Sequence, residues 1–217
     1  MIGLVQSLFW LLLSYFNWPN ISITLISISI GILITGGIHI DGLMDTADGI
    51  GAGPSKRIKA MKDSRVGAIG VQSLLIIFSF QIAAIIKLDF FAPVVFPFAA
   101  FWGRFSQIIA IENYEYISNK HSKYFHQKNW KGIFREIRPS LLIICIGIIF
   151  FLFLLRTNLS IFLSIIFYVP LGLIASITVP YFINRSLGGH NGDSYGASLV
   201  ITETIIFMVL SVIFVPN

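Results

Sequence analysis

Apolar stretches about as long as a bilayer is thick recur along this chain with short breaks between them, and no other feature constrains its fold as strongly. A helix crossing the hydrocarbon core needs about 20 predominantly apolar residues. Five stretches meet that need, at 21–40, 68–86, 90–111, 159–183 and 197–215, and two shorter runs at 1–16 and 141–155 bring the count to seven. Only 12% of the 217 residues are charged while 56% are hydrophobic, whereas a soluble domain carries roughly 25% charged residues. The reading is an all-α, polytopic membrane bundle of about seven transmembrane helices, one domain over 1–217. A disordered tail, a secreted disulfide scaffold and an ordinary soluble enzyme are excluded. The single cysteine, Cys145, has no intrachain partner for a disulfide. The first run lacks a basic lead and a small-residue cleavage site, so it is expected as a retained helix rather than a signal peptide.

The net charge of +5 could suggest nucleic acid, but its distribution points to a membrane. Five Lys and Arg residues fall within 41–65 (Lys56, Arg57, Lys59, Lys62, Arg65) and six within 112–139 (Lys120, Lys123, Lys128, Lys131, Arg135, Arg138), whereas the intervening turns offer Lys87 and Arg156. Cytoplasmic loops collect such residues. The topology then reads N-terminus in, C-terminus out, with the loop carrying Arg185 also inside and no nucleic-acid partner. His121 and His126, among Lys and aromatic residues, suit a helix lying at the headgroups. Pro170 and Pro180 are expected to kink the sixth span.

Three carboxylates leave the second span together, in Gly36-Gly37-Ile38-His39-Ile40-Asp41-Gly42-Leu43-Met44-Asp45-Thr46-Ala47-Asp48-Gly49. If the helix continues through them, Asp41, Asp45 and Asp48 stand at i, i+4 and i+7, within a stripe about 60° wide. Like charges so spaced repel, and carboxylates near hydrocarbon are costly, unless a cation sits among them. Mg²⁺, a hard ion that keeps waters and bridges carboxylates to phosphates, is the expected cofactor. His39 is left out of that site because it falls about 160° from Asp41 on a regular helix. The glycines that follow, at 49, 51 and 53, lack the Gly-Lys-Ser/Thr ending of a P-loop. Lys62, Asp63, Ser64 and Arg65 come just before the third span, where basic groups beside a metal could hold a diphosphate.

Two further regions qualify. The last cytoplasmic loop, Gly188-Gly189-His190-Asn191-Gly192-Asp193-Ser194-Tyr195-Gly196, can wrap a polar ligand closely through Gly189, Asn191 and Gly192. Arg104 and Glu203 each lie eight residues, about 12 Å, from the cytoplasmic boundary. At a shared depth they could pair structurally or floor a substrate cavity.

The stretch at 36–49, Met61-Lys62-Asp63-Ser64-Arg65-Val66-Gly67-Ala68, and Gly188-Gly189-x-x-Gly192-Asp193-x-x-Gly196-Ala197 together resemble the cobalamin synthase family, the adenosylcobinamide-GDP ribazoletransferases, with Gly103-Arg104 a weaker match. Members generally begin with a longer segment before the first span, so this chain reads as a shortened form. The resemblance implies an enzyme of the prokaryotic cytoplasmic (inner) membrane, working in cobalamin biosynthesis with its site facing the cytoplasm. Such an enzyme uses Mg²⁺ to join adenosylcobinamide-GDP to α-ribazole or α-ribazole 5′-phosphate, releasing GMP. On that reading Asp41, Asp45 and Asp48 hold the metal, Lys62 and Arg65 neutralise the transferring group, and Asp63 or Asp193 takes the hydroxyl proton. Ser64, Gly189, Asn191, Gly192, Arg104 and Glu203 would contact substrate. The partners are the two substrates and the bilayer, with a homo-oligomer compatible.

Two rivals stand beside it. A CDP-alcohol phosphotransferase also places aspartates and Mg²⁺ at a membrane helix end, but its Asp-Gly-x-x-Ala-Arg start is absent. An ion-coupled transporter could use Glu203 as a relay, yet these acids gather at one mouth rather than at the midplane where transport sites lie.

Overall fold

The computed structural model describes residues 1–117, 130–139, 141–142 and 168–213. All but the first two residues of the expected span at 141–155 and the first part of that at 159–183 lie outside the described residues, as do His121 and His126. Within those described, the chain is helical, with one isolated parallel bridge between Tyr116 and His190. We label the principal helices α1 (Ile2–Tyr15), α2 (Asn20–Ile34), α3 (Ile38–Gly51), α4 (Arg57–Met61), α5 (Ala68–Leu88), α6 (Ala92–Asn113), α7 (Val169–Leu187) and α8 (Gly192–Ile213).

Length and apolarity alone qualify α8 and the stretch Ala68–Asn113, which contains α5 and α6, as membrane-crossing. The pair α2 and α3 qualifies only when taken together, and it is bent by 88°. The expected span at 21–40 is corrected accordingly. It ends at Ile34, because Gly36 (φ +62°) and Gly37 (φ +76°) take left-handed backbone conformations that other residues resist. The chain therefore turns before the first aspartate. The three acids do lie on one helix, but α3 runs across the ends of α5 and α8 and is no continuation of the crossing.

Helix α8 is central, packing against α3, α5, α6 and α7. Away from the acidic end, Trp10, Ile85, Phe96, Trp102, Phe207 and Leu210 belong to one buried cluster. Nearer that end, Leu43, Met61, Ile183, Leu187, Leu199 and Val200 form a second. Between helices in lipid there is little hydrophobic drive, so close packing and polar links hold them. The Gln81 amide donates to Thr204 Oγ1 at 2.9 Å, joining α5 to α8, and Ser7 Oγ donates to the Pro93 carbonyl at 2.5 Å, joining α1 to α6. At the opposite end, Asn20 Nδ2 donates to Asp89 Oδ1 (2.9 Å) and to the Ile86 carbonyl (3.2 Å). That tie holds the start of α2 against the turn between α5 and α6.

Candidate active site

Helix α3 meets α8 where Gly42 faces Asp193. A Cβ built on Gly42 would stand 2.5 Å from the Asp193 carbonyl oxygen and 2.9 Å from its Cα, so this contact exists only because position 42 has no side chain. It brings the acids flanking Gly42 on α3 beside the first turn of α8. Asp41 is exposed, while Asp45 and Asp193 are half-buried. Burial, then the charges of Asp41, Asp193 and Asp48, push the Asp45 carboxyl up to about 6. A cation bound beside such a carboxylate would relieve both the burial of its charge and the repulsion from its neighbours.

The first turn of α8 is built by a reciprocal cap. The Asn191 side-chain oxygen accepts from the Ser194 N–H (2.9 Å), and Ser194 Oγ accepts from the Asn191 N–H (2.8 Å). Two otherwise unpaired amides are thereby satisfied, in the manner of a capping box. Asn191 Nδ2 donates to Asp193 Oδ2 at 2.8 Å and fixes that carboxylate's orientation. Residues expected as loop from 192 onward are therefore helical, and Asn191 is engaged with its own helix. Gly192 has no atom within 4 Å of where a Cβ would be, so its surface is open. Gly189, by contrast, is closed off by Ile117 and the Glu115 carbonyl. Buried His190 sits beneath, its Nε2 3.0 Å from the Pro180 carbonyl and its Nδ1 3.0 Å from Ser194 Oγ. Burial holds its imidazole below the usual value, so it is neutral at pH 7.

Asp48 goes elsewhere. Its Oδ2 accepts from the Gly67 N–H (2.9 Å) and its Oδ1 from the Gly70 N–H (2.8 Å), at the start of α5. The aspartate stripe expected to face one ligand is thus divided, and sequence reasoning missed the two glycines that divide it. Their signal was a long apolar helix that begins on glycine, with no side chain of its own to cap it.

Asp63 and Arg65 form the one ion pair among the described residues. Arg65 donates to both carboxylate oxygens, Nη2 at 2.7 Å and Nε at 3.0 Å, and its backbone N–H adds a third bond at 3.1 Å. The hydrogen bonds from Arg65 hold the Asp63 carboxyl down to about 2. Lys62 and Ser64 are exposed beside them. Arg57 is engaged as a helix cap, Nη1 donating to the Ser186 carbonyl near the end of α7 at 2.7 Å.

The Arg104–Glu203 pairing does not form. Arg104 Nη1 donates to Gln107 Oε1 at 2.6 Å on its own helix, while Glu203 packs against Gly103.

These arrangements fit a hard cation at Asp41 and Asp45. Both offer oxygen, neither has an ion-pair partner among the described residues, and Asp45 is raised by burial and then by the neighbouring charges of Asp41, Asp193 and Asp48. The described residues contain no ready-made group of three or more His, Cys, Asp or Glu able to hold a metal. Mg²⁺ needs none, since it keeps several waters and is bound through one or two carboxylates plus substrate phosphates.

Residues 1–211 match the model of the family described as cobalamin-5-phosphate synthase. The chain belongs to that family. Relatives named adenosylcobinamide-GDP ribazoletransferase include one from Prochlorococcus marinus, 45% identical over 98% of this chain and 82% of its own length. Another, from Trichormus variabilis, is 32% identical over 98% of this chain and 83% of its own. No solved structure matches. Cobalamin-5-phosphate synthase membership covers all the site elements above, from α3 through the first turn of α8.

Proposed function

We propose that this chain transfers the adenosylcobinamide phosphate group of adenosylcobinamide-GDP to α-ribazole or its 5′-phosphate, releasing GMP, at a mouth facing the cytoplasm. One observation carries the reading beyond family membership: the Gly42 crossing sets Asp41 and Asp45 beside Asp193, acids whose mutual repulsion a bound cation would relieve. Asp41 and Asp45 are the residues that would hold Mg²⁺, an ion that takes oxygen ligands. When bound, the ion supplies charge neutralisation to the diphosphate and to the leaving phosphate of GMP.

The protein's own groups do the rest. Lys62, exposed and unpaired with any acid among the described residues, can meet the diphosphate directly. Arg65 reaches it only by sharing its guanidinium with Asp63. A carboxyl held at about 2 is a poor base at neutral pH, which leaves Asp193, oriented by Asn191, to accept the proton. A ribose hydroxyl of the ribazole attacks the corrinoid-side phosphorus, its proton passes to Asp193, and the bond to the GMP oxygen breaks. The open surface at Gly192 admits a ligand beside that carboxylate.

The test is Mg²⁺-dependent release of GMP from adenosylcobinamide-GDP plus α-ribazole, using membranes that contain this chain. Wild-type membranes should form product, and Asp45→Asn, correctly inserted, should lose at least 100-fold in rate. Near-normal Mg²⁺-dependent release by Asp45→Asn would overturn the site.

A further inference from the structure

The division of the aspartate stripe gives Asp48 a task of its own. Both its carboxylate oxygens are engaged by backbone amides at the start of α5, Gly67 N–H at 2.9 Å and Gly70 N–H at 2.8 Å. The first turn of a helix carries unpaired N–H groups and the positive end of the dipole, so a carboxylate is stabilised there. The fit is tight. A Cβ on Gly67 would collide with Oδ1, and one on Gly70 would lie 2.6 Å from Oδ2. Both positions must lack a side chain for Asp48 to enter.

A second contact lies close by. Met61 is buried at the end of α4, and its side chain presses on Gly49, where a Cβ would collide with Met61 Cγ. The five residues 62–66, carrying Lys62, Asp63, Ser64 and Arg65, therefore run as a strap between two anchors. Met61 grips α3 at Gly49, and Gly67 grips it at Asp48. We infer that Asp48 is a positioning residue and not a metal ligand, clipping this strap to α3 through the Gly67 and Gly70 amides. The inference rests on the site proposed above, since it assumes that the strap serves the same ligand as Asp41 and Asp45.

Purified full-length protein in detergent can be titrated with Mn²⁺ while the resonance of the free ion is followed, with amide hydrogen exchange measured over 62–71. Asp45→Asn should weaken Mn²⁺ binding at least tenfold. Asp48→Asn should shift it less than twofold, yet speed exchange of the Gly67 and Gly70 amides at least tenfold. It should also lower kcat/KM for the corrinoid nucleotide with the half-activating Mg²⁺ concentration unchanged. Gly67→Ala, whose backbone at φ −84° accepts alanine, should reproduce these effects by displacing the carboxylate, and the double variant should be no worse than either single. If Asp48→Asn weakens Mn²⁺ binding as much as Asp45→Asn, or leaves amide exchange unchanged, the inference falls. Should Asp48→Asn fail to fold, a tenfold loss of Mn²⁺ affinity in Gly67→Ala would overturn it equally. If Mn²⁺ binding survives Asp45→Asn, the proposed site fails while the exchange data still decide the clip.

Discussion

Asp45 and Asp63 lie on neighbouring segments with opposite titration behaviour, set first by burial at Asp45 and by hydrogen bonds from Arg65 at Asp63. Asp45, half-buried among acids, is raised to about 6, whereas Asp63, bridged by Arg65, is held near 2. Because the folded value of Asp45 exceeds its unfolded one, its ionisation opposes folding. That contribution sets in as pH rises from about 4 to about 6 and stays constant above. Without divalent cation, Asp45→Asn should therefore raise the unfolding temperature at pH 7 by ~2 °C, read by thermal unfolding in detergent. The same variant should lose the rise that Mg²⁺ gives the wild type. Activity at limiting Mg²⁺ should fall as pH drops through about 6, when Asp45 protonates and releases its claim on the ion; a profile flat from 5 to 8 would count against it. Asp63, ionised throughout that range, should contribute no limb.

Among the elements, the bend before α3 and the cap of α8 decide where the acids point. Neither Gly36 nor Gly37 has an atom within 4 Å of where a Cβ would stand, so the cost of substitution there is conformational alone. Gly37→Ala should destabilise by about 1 kcal/mol, and Gly37→Asn by less, because asparagine tolerates the left-handed region; denaturation in detergent would show the order. For α8, Asn191→Ala should cost ~1 kcal/mol through the lost cap and also slow GMP release. Asn191→Ser should recover stability without recovering rate, since serine caps but cannot donate to Asp193 as the amide does. The spacing of Asp41, Asp45 and Asp48 made α3 legible as a helix from sequence. Its direction was not legible, because a Gly-Gly pair reads equally well as a tolerated interruption. The start of α8 was hidden in the same way, its Asn191 and Ser194 cap signals sitting among glycines that suggest loop. For Arg104 and Glu203, helical rise gave their position along the helices but not their azimuth, and Arg104 is exposed and bonded along its own helix to Gln107.

At the scale of the whole molecule, composition pointed to lipid as the solvent, and the spacing of the motifs pointed to one end of the bundle for the proposed chemistry. What could not be read was which groups meet there, because Asp48 is claimed by two backbone amides and Arg57 by a carbonyl near the end of α7. Backbone partners leave little trace in residue identity. The arrangement predicts sidedness: with Cys145 replaced by alanine, Ser64→Cys and Gly192→Cys should react with an impermeant thiol reagent in inside-out vesicles. Asn17→Cys, at the turn between α1 and α2, should react only from the other face. Labelling of Ser64→Cys and Asn17→Cys from the same side would refute this orientation.

The contact at Gly42 has a mechanical corollary. Because α3 and α8 touch there with no side chain between them, and again where Gly196 meets the His39 backbone, the crossing is a seam held at two points. Membrane helices answer changes of bilayer thickness by tilting, and a seam fixed at two points should carry α3 along with α8 when that happens. Asp41, Asp45 and Asp193 should then keep their spacing, and turnover should vary little between vesicles of shorter-chain and longer-chain phospholipid.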